Sequence, residues 1–182
     1  MGVESTNSSE KINTMSDFHI RQMELSDLDA IQAIEQQVYP FPWASQIFID
    51  SMEAGSLLVV MERQQRIIGY AVQSTAAGES QLLNIAIAPS EQGRGLGRVL
   101  LQWLIEQARN ANSEMIFLEV RFSNQTAQSL YESMGFNEIG MRKAYYRVQG
   151  GSVKMHWSTR FSCCLMITLA VSQKRLDKSS SE

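Results

Sequence analysis

A glycine-rich segment in the middle of the chain is the clearest combination of residue types that could do chemistry. It lies between an apolar strand pattern and a helical pattern, and its residues are Gln92, Gly93, Arg94, Gly95, Leu96, Gly97 and Arg98. Glycines let the backbone turn tightly and approach a ligand closely. The N–H groups at the start of the helix suit a phosphate or pyrophosphate group, and the two arginines add positive charge. A tight turn without a ligand needs similar residues, so the segment alone leaves both interpretations open.

Two common nucleotide-binding motifs do not match this segment. It lacks the G-x-x-x-x-G-K-[ST] pattern of a P-loop. It also lies in mid-chain, with no first βα unit ahead of it. Glu114 and Glu119 are near the spacing at which a dinucleotide fold has its acidic residue, but Glu119 falls inside a strand pattern.

The segment and four other patterns along the chain resemble one enzyme family. The pattern Gln92-x-x-Gly95-x-Gly97, placed between a strand and a helix, is similar to the acetyl-CoA motif of the GNAT N-acetyltransferases. The stretches 117–124 and 127–136 look like the next two elements of that family. The Pro-Phe-Pro-Trp run at 40–43 and the Ala-Tyr-Tyr run at 144–146 narrow the resemblance to the bacterial ribosomal-protein-alanine N-acetyltransferases of the RimI type.

The resemblance covers about residues 18–150 and implies an α/β (α+β) GNAT fold, a mixed central sheet flanked by helices. The implied reaction is acetyl transfer from acetyl-CoA, as co-substrate, to the N-terminal amino group of a ribosomal protein. An α-amino group has a pKa near ~8, so a weak base is enough to deprotonate it. The resemblance assigns this base to Glu119 and the general acid for the leaving thiolate to Tyr131.

From the residues alone, Glu119 could equally be an ion-paired strand residue with Arg121 on the same face. Tyr131 could equally pack its helix, although a tyrosine can pack with its ring and donate with its hydroxyl. Two alternative functions stay open: acetylation of another peptide or small amine, and binding of acetyl-CoA without catalysis.

The resemblance also implies the residues that contact acetyl-CoA. In this family a splayed strand turns backbone N–H groups toward the co-substrate, where they stabilise developing negative charge. Asn124 is implied as a hydrogen-bond partner of CoA, and its position also predicts a helix N-cap. The full implied set is Ile85, Ala86, Ile87, Gln92, Gly93, Arg94, Gly95, Leu96, Gly97, Arg98 and Asn124.

The peptide-binding side is less defined. Tyr145 and Tyr146 are candidates to border the peptide slot. An acidic surface suits a basic peptide. The unranked candidates for it are Glu24, Glu53 and Glu132.

Periodicity and turn residues predict the elements that position these groups. Ser26 is the expected cap of a first helix whose apolar face carries Leu28, Ile31, Ile34 and Val38. A second helix is expected over 45–52, a third over 99–110, and a fourth from Asn124 through Met134 with Gly135 after it. Strands are expected at 19–25, 56–62, 67–74, 81–88, 115–120 and 136–148.

Composition restricts the class of protein. A 44% hydrophobic fraction and a 19% charged fraction exclude collagen-like, coiled-coil and fully disordered chains, and a net charge of −3 argues against a dedicated nucleic-acid binder. Residues 1–17 lack the apolar core of a signal peptide and are expected to be a disordered leader. The longest apolar run, 161–171, is too short to span a bilayer. We therefore expect a cytoplasmic protein without membrane contact or a metal site.

The segment 151–182 departs from the rest of the chain. It has a basic excess and both cysteines, whereas 1–150 is acidic and has none. The family usually ends with a segment like Arg-Glu-Asp-Ala-Leu and an apolar strand. Codons for Met155-His156-Trp157 read one base earlier permit Asp-Ala-Leu, which leads us to interpret the tail as the product of a frameshift near Gly151. The alternative is a divergent extension. A frameshift predicts impaired peptide binding or stability.

Overall fold

The computed structural model describes residues 17–143 and 161–169. Helices and strands alternate along these residues as the mixed α/β prediction requires. They are β1 His19–Gln22, α1 Leu28–Val38, α2 Ser45–Glu53, β2 Leu57–Arg63, β3 Arg66–Ala76, β4 Glu79–Ile87, α3 Leu96–Asn110, β5 Met115–Arg121, α4 Gln125–Ser133, β6 Asn137–Lys143 and β7 Phe161–Thr168. The strands form one sheet in the order β1-β2-β3-β4-β5-β7-β6. The β4–β5 pair is parallel and the other pairs are antiparallel.

Helices cover both faces of the sheet. α1 and α2 pack on one face, where Ile31, Phe48 and Tyr70 are fully buried. α3 and α4 pack on the other face with their own apolar cluster, which includes Leu100 and Leu104. The apolar face predicted for the first helix is therefore the face of α1 that contacts the sheet. Among the described residues, no helix combines the length and the apolar character needed to cross a membrane.

The prediction that Ser26 caps the first helix is wrong. A 3-10 turn over Leu25–Asp27 precedes α1, which begins at Leu28. The Asp27 carboxylate accepts the Glu24 N–H (2.8 Å) and two Arg21 N–H groups (2.7 and 2.8 Å). These hydrogen bonds to Arg21 lower the pKa of Asp27. A half-buried ion pair with Arg21, which the local sequence pattern does not show, decides how the chain enters α1.

Two tight hairpins connect β2, β3 and β4. Gln64 and Gln65 join β2 to β3 with φ of 50° and 61°. Ala77 and Gly78 join β3 to β4 with φ of 52° and 82°. Consecutive left-handed residues match the twist of antiparallel strands. The predicted strand–turn–strand arrangement at 56–74 is confirmed, with its bounds shifted by one or two residues.

The predictions for α3 and α4 differ in accuracy. α3 begins at Leu96, three residues before the predicted start, because Gly95 adopts a φ of 79° at the N-cap. The helix therefore starts inside the glycine-rich segment. α4 agrees with its prediction: Asn124 caps it through a hydrogen bond from the Ala127 N–H (3.1 Å), and Gly135 follows it with a φ of 90°.

The tail contributes a strand to the interior of the sheet. β7 lies between β5 and β6 and pairs with both over most of its length. Leu165 and Leu169 are buried in the cluster under α3 and α4. Residues 161–169 thus occupy the place of a final strand. Tyr145 and Tyr146, the leader at 1–16 and the remainder of the tail lie outside the described residues.

Candidate active site

The parallel pair β4 and β5 separates part of the way along its length. Pairing covers Glu79–Leu82 of β4 and Met115–Leu118 of β5. β4 then continues to Ile87 and β5 to Arg121 without pairing to each other. A bulge at Leu83 coincides with the separation, since Asn84 pairs with Val72 while Leu82 pairs with Gln73. Bulges bend a strand and increase its twist. The result is a cleft between the diverging ends of β4 and β5.

Hydrogen bonds fix the direction of the backbone groups along this part of β4. The Ala88 N–H donates to the Ile68 carbonyl of β3 (2.9 Å). The backbone N–H and C=O groups of successive residues point to opposite sides of a strand. Those of Ile85 and Ile87 therefore point away from β3. Consistently, the Ile85 carbonyl accepts the Tyr39 hydroxyl (2.7 Å) and the Ile87 carbonyl accepts Gln92 Nε2 (2.9 Å).

This alternation separates the three predicted backbone donors. The N–H groups of Ile85 and Ile87 point toward the cleft, whereas the N–H of Ala86 points toward Tyr70, its pairing partner on β3. Two of the three implied N–H groups therefore lie on the edge where an acyl oxygen could be stabilised.

The glycine-rich segment lies directly after β4 and forms the start of α3. Gly93 and Gly95 have φ of 75° and 79°, and a Cβ atom added to either would meet nothing within 4 Å. The Arg98 N–H donates to the Gly95 carbonyl (3.1 Å). The N–H groups of Leu96 and Gly97 precede it and have no carbonyl within the helix to bond. An open surface with outward N–H groups at a helix start fits a pyrophosphate group.

The two arginines of this segment have neighbours of their own. Arg94 Nη1 pairs with Glu91 Oε2 (3.1 Å), and the same oxygen accepts Arg63 Nη1 (2.7 Å). Arg98 Nη2 donates to the Ser133 hydroxyl of α4 (2.6 Å). Both arginines are exposed and lie on either side of the helix start. Their predicted role toward a phosphate stays a prediction.

Glu119 occupies the first position of β5 beyond its pairing with β4. Its neighbours Leu118 and Val120 are buried, whereas Glu119 is exposed on the alternate face. Its cross-strand partner is Cys164 of β7. Arg121 follows on the same face, and its guanidinium carbon lies 5.7 Å from the centre of the Phe41 ring. Glu119 thus lies at the rim of the cleft, and its role as the base stays a prediction.

Tyr131 is buried in the second turn of α4. Its ring packs at a tilt against Phe136 with the ring centres 5.8 Å apart, so the packing interpretation is confirmed. Burial raises the pKa of Tyr131 to about 12. The hydroxyl therefore keeps its proton at neutral pH, as a general acid must.

The segment that joins α1 to α2, here called the α1–α2 loop (residues 39–44), lies beside the same cleft. Tyr39 bonds the Ile85 carbonyl of β4, and Phe41 lies over Arg121 of β5. Burial, then the nearby Tyr131 and Glu35, raise the pKa of Tyr39. Phe41 is 64% exposed despite its size. The loop thus brings an exposed aromatic ring to the end of the cleft.

Comparison with known proteins agrees with this geometry. Residues 23–136 match the sequence profile of the acetyltransferase (GNAT) family. The chain belongs to the GNAT family. Members of this family use acetyl-CoA as co-substrate. The predicted resemblance to the GNAT N-acetyltransferases, which rested on the glycine-rich segment and the elements after it, is therefore confirmed.

Two curated GNAT relatives are each named [ribosomal protein bS18]-alanine N-acetyltransferase. The one from Escherichia coli strain K12 is 36% identical over 132 residues, which cover 72% of this chain and 89% of the relative. The one from Haemophilus influenzae is 39% identical over 132 residues, which cover 72% and 90%.

Solved structures share the GNAT fold. The crystal structure of the ribosomal-protein-S18-alanine N-acetyltransferase from Escherichia coli matches with a TM-score of 0.75 at 30% identity, covering 87% of this chain and 98% of that chain. Ard1 from Thermoplasma volcanium matches with a TM-score of 0.73 at 20% identity, covering 84% and 98%. The second match supports the fold alone.

Three polar residues of this GNAT site were missed in the sequence. They are Glu35, Asn84 and Tyr39. Glu35 accepts hydrogen bonds from Asn84 Nδ2 and from the Trp43 N–H. The Tyr39 hydroxyl donates to the Ile85 carbonyl on the wall of the cleft. One signal was available, because Glu35 lies on the apolar stripe of α1, one turn after Ile31. Asn84 and Tyr39 gave no signal, since their partners are distant in sequence. Within 17–143 and 161–169, no group of His, Cys, Asp and Glu side chains could hold a metal ion.

Proposed function

We propose that this chain transfers the acetyl group of acetyl-CoA to the N-terminal alanine of a small-subunit ribosomal protein in the cytoplasm. The observation that carries this proposal is the 36–39% identity to enzymes named for that reaction, over 89–90% of their length. The cleft, the helix start and the two candidate proton-transfer groups support it from the geometry.

Acetyl-CoA fits the groups that line β4 and the start of α3. The pyrophosphate would bind the outward N–H groups of Leu96 and Gly97, with Arg94 and Arg98 beside them. The N–H groups of Ile85 and Ile87 point to where an acyl oxygen would lie. Asn124 would contact CoA from the start of α4, although its side-chain oxygen already caps that helix.

The proposed chemistry needs three proton transfers. Glu119 takes one proton of the acceptor ammonium, through a water if required, so that the nitrogen can attack the acetyl carbonyl carbon. The carbon–sulfur bond of the tetrahedral intermediate then breaks, and Tyr131 donates its proton to the leaving thiolate. The attacking nitrogen, now part of the amide, gives up its second proton, which restores the Tyr131 hydroxyl. The raised pKa of Tyr131 means that this hydroxyl is protonated before the reaction begins.

A basic peptide N-terminus is the proposed acceptor. Glu24, Glu53 and Glu132 are all exposed, but they lie on three different elements. Phe41 of the α1–α2 loop supplies an apolar contact at the cleft. The alternative acceptors, another peptide or a small amine, would use the same base and acid.

A peptide assay tests the proposal. Two basic peptides that differ only in the first residue, alanine or methionine, are incubated with acetyl-CoA, and free thiol and peptide mass are measured. We expect thiol release and one added acetyl group on the alanine peptide, with slower reaction of the methionine peptide. Turnover on small amines but on neither peptide contradicts the proposal. Binding of acetyl-CoA with no turnover on any amine favours a non-catalytic module.

We also propose that the tail 151–182 arises from a frameshift near Gly151. β7 is nevertheless a strand of the sheet, so an out-of-frame sequence would have to supply a compatible apolar pattern. Sequencing the gene around this codon in independent isolates tests the proposal. An unbroken frame with no nearby insertion or deletion would instead make the tail a divergent extension.

A further inference from the structure

A fully buried carboxyl group lies between α1, the sheet and the α1–α2 loop. Glu35 is 0% exposed. Its Oε1 accepts hydrogen bonds from the Tyr70 hydroxyl and from Asn84 Nδ2 (2.8 Å), and its Oε2 accepts the Trp43 backbone N–H (2.6 Å). A buried carboxyl group that loses its donors is left with unsatisfied oxygens, which destabilises a protein. The three donors therefore hold Glu35 in place, and Glu35 holds them.

The three donors belong to different parts of the active site. Tyr70 lies in the middle of β3 and is fully buried. Asn84 lies between the bulge at Leu83 and Ile85, where β4 leaves β5. Trp43 lies in the α1–α2 loop. One carboxyl group thus joins the β4 wall of the cleft to the loop on its other side.

The α1–α2 loop is held at further points. Gln32 Nε2, one turn before Glu35 on α1, donates to the Trp43 carbonyl (2.7 Å). The two side chains therefore bind both polar groups of the Trp43 backbone. At the other end of the loop, the Tyr39 hydroxyl donates to the Ile85 carbonyl (2.7 Å). Two prolines between these anchors restrict the backbone that carries Phe41.

We propose that Glu35 is a positioning residue for acetyl transfer. By binding Asn84 and Trp43 together, it fixes the spacing between the Ile85 N–H, where the acetyl group would be held, and Phe41, where the acceptor would rest. This inference rests on the proposed function. A misplacement of about 1 Å can lower an enzymatic rate about 100-fold. The contacts of Glu35 are with residues that line the cleft, so it acts through them.

The test is the substitution Glu35→Gln, which keeps the shape of the side chain. It replaces one acceptor oxygen by an NH2 group, which then faces the N–H or O–H donors that the oxygen had bound. We expect kcat to fall and the KM for the alanine-first peptide to rise, each by about fivefold or more, while the KM for acetyl-CoA stays within about twofold. We expect acetyl-CoA to be spared because its pyrophosphate would bind at the start of α3, where Leu96 packs on the opposite face of the sheet from α1. Gln37→Ala is the matched control, since Gln37 is exposed on the same helix and bonds only the Ala33 carbonyl.

Hydrogen exchange supplies a readout that does not depend on activity. Residues 40–44 contain two prolines, so few amides report there. We expect the Trp43 amide to exchange about tenfold faster in Glu35→Gln, while the amides of α3 keep their protection. If Glu35→Gln does not fold, Tyr70→Phe removes one donor with little change of shape. We then expect the same pattern of changes in kcat, the two KM values and the Trp43 exchange rate, with smaller magnitudes.

Three outcomes would overturn the proposal: equal changes in both KM values, a lower melting temperature with unchanged kinetics per active site, or an unchanged Trp43 exchange rate. If the wild-type chain acetylates no alanine-first peptide, the proposed function fails. The exchange rate of Trp43 then still decides whether Glu35 anchors the loop.

Discussion

Glu119 and Tyr131 lie in environments that suit opposite proton transfers. Glu119 is exposed where β5 separates from β4, so water can reach its carboxylate. Tyr131 is 6% exposed and packs on Phe136, so its neutral form is favoured. Exposure thus leaves the Glu119 carboxylate accessible to an acceptor, and burial keeps the Tyr131 hydroxyl in its protonated form.

Replacing Glu119 with glutamine removes the proposed base with little change of shape. We expect Glu119→Gln to lower kcat with the alanine-first peptide by about 100-fold or more, the usual contribution of general base catalysis. Acetyl-CoA affinity, measured by calorimetry, should stay within about twofold. Glu114→Gln is the control, since Glu114 is exposed and lies just before the other end of β5. Equal activity of the two variants would refute the assignment.

The raised pKa of Tyr131 predicts the shape of the pH–rate profile. A hydroxyl with a pKa of about 12 stays protonated as the pH rises and loses its proton only near pH 12. We expect kcat/KM to rise as the acceptor amine loses its proton, with a pKa near ~8, and to stay level up to about pH 10.5. Tyr131→Phe should lower the plateau without moving the rise.

Two results would contradict these expectations in different ways. A plateau in Tyr131→Phe equal to that of the wild-type chain would exclude Tyr131 as the acid. A fall between about pH 9 and 10.5 that disappears in Tyr131→Phe would keep Tyr131 as the acid but contradict its raised pKa, since an unperturbed tyrosine titrates near pH 10. Circular dichroism at each pH is the control for unfolding.

Single residues were predictable where a local motif carries their role. Asn124 was predicted as an N-cap from its position, and its hydrogen bond to the Ala127 N–H is local. Glu35 and Tyr39 were not predicted, because their partners Asn84 and Ile85 are more than forty residues away. Side chains that act across the sheet leave only weak signals, such as a glutamate on an apolar stripe.

At the scale of elements, the start of α3 depends on two glycines with left-handed backbone. Gly95→Ala places a Cβ at a φ of 79°, which costs about 1 kcal/mol even though no atom lies within 4 Å. We expect the KM for acetyl-CoA to rise about threefold or more, because the N–H groups of Leu96 and Gly97 are displaced. Thermal melts and initial rates measure the two effects.

Gly55→Ala is the matched control for this substitution. Gly55 has a φ of 75°, also with nothing within 4 Å of an added Cβ, and it follows α2 rather than β4. It should show a similar loss of stability with an unchanged KM for acetyl-CoA. Equal effects of both substitutions on this KM would contradict a specific role of the α3 start.

The type of most elements was predictable and some boundaries were not. The α3 start was predicted at Val99, because the glycines that precede it look like a loop, yet the helix begins at Leu96. The entry to α1 depends on the Arg21–Asp27 pair rather than on Ser26. In both places the boundary of the helix depends on a backbone angle or on an ion pair, and neither can be inferred from the spacing of apolar residues.

At the scale of the whole molecule, β7 determines whether the sheet is complete. Leu165 is 3% exposed in the cluster under α3 and α4. We expect Leu165→Ala to lower the free energy of unfolding by about 2–5 kcal/mol, the usual range for a buried leucine. Thr168→Ala, an exposed position on the same strand, should change it by less than about 0.5 kcal/mol. Urea unfolding measures both, and equal values would mean that the tail does not support the fold.

The strand order has a consequence for folding during synthesis of the protein. β5 and β6 are made early but both pair with β7, which is synthesised after them. During translation, β5 therefore keeps an unpaired edge, and β6 lacks its partner in the described sheet, until β7 has been made. Open edges are where nascent chains associate with one another. The sheet thus joins β6 to β5 only after β7 has been made, and a chaperone that shields β5 and β6 would be needed for only that interval.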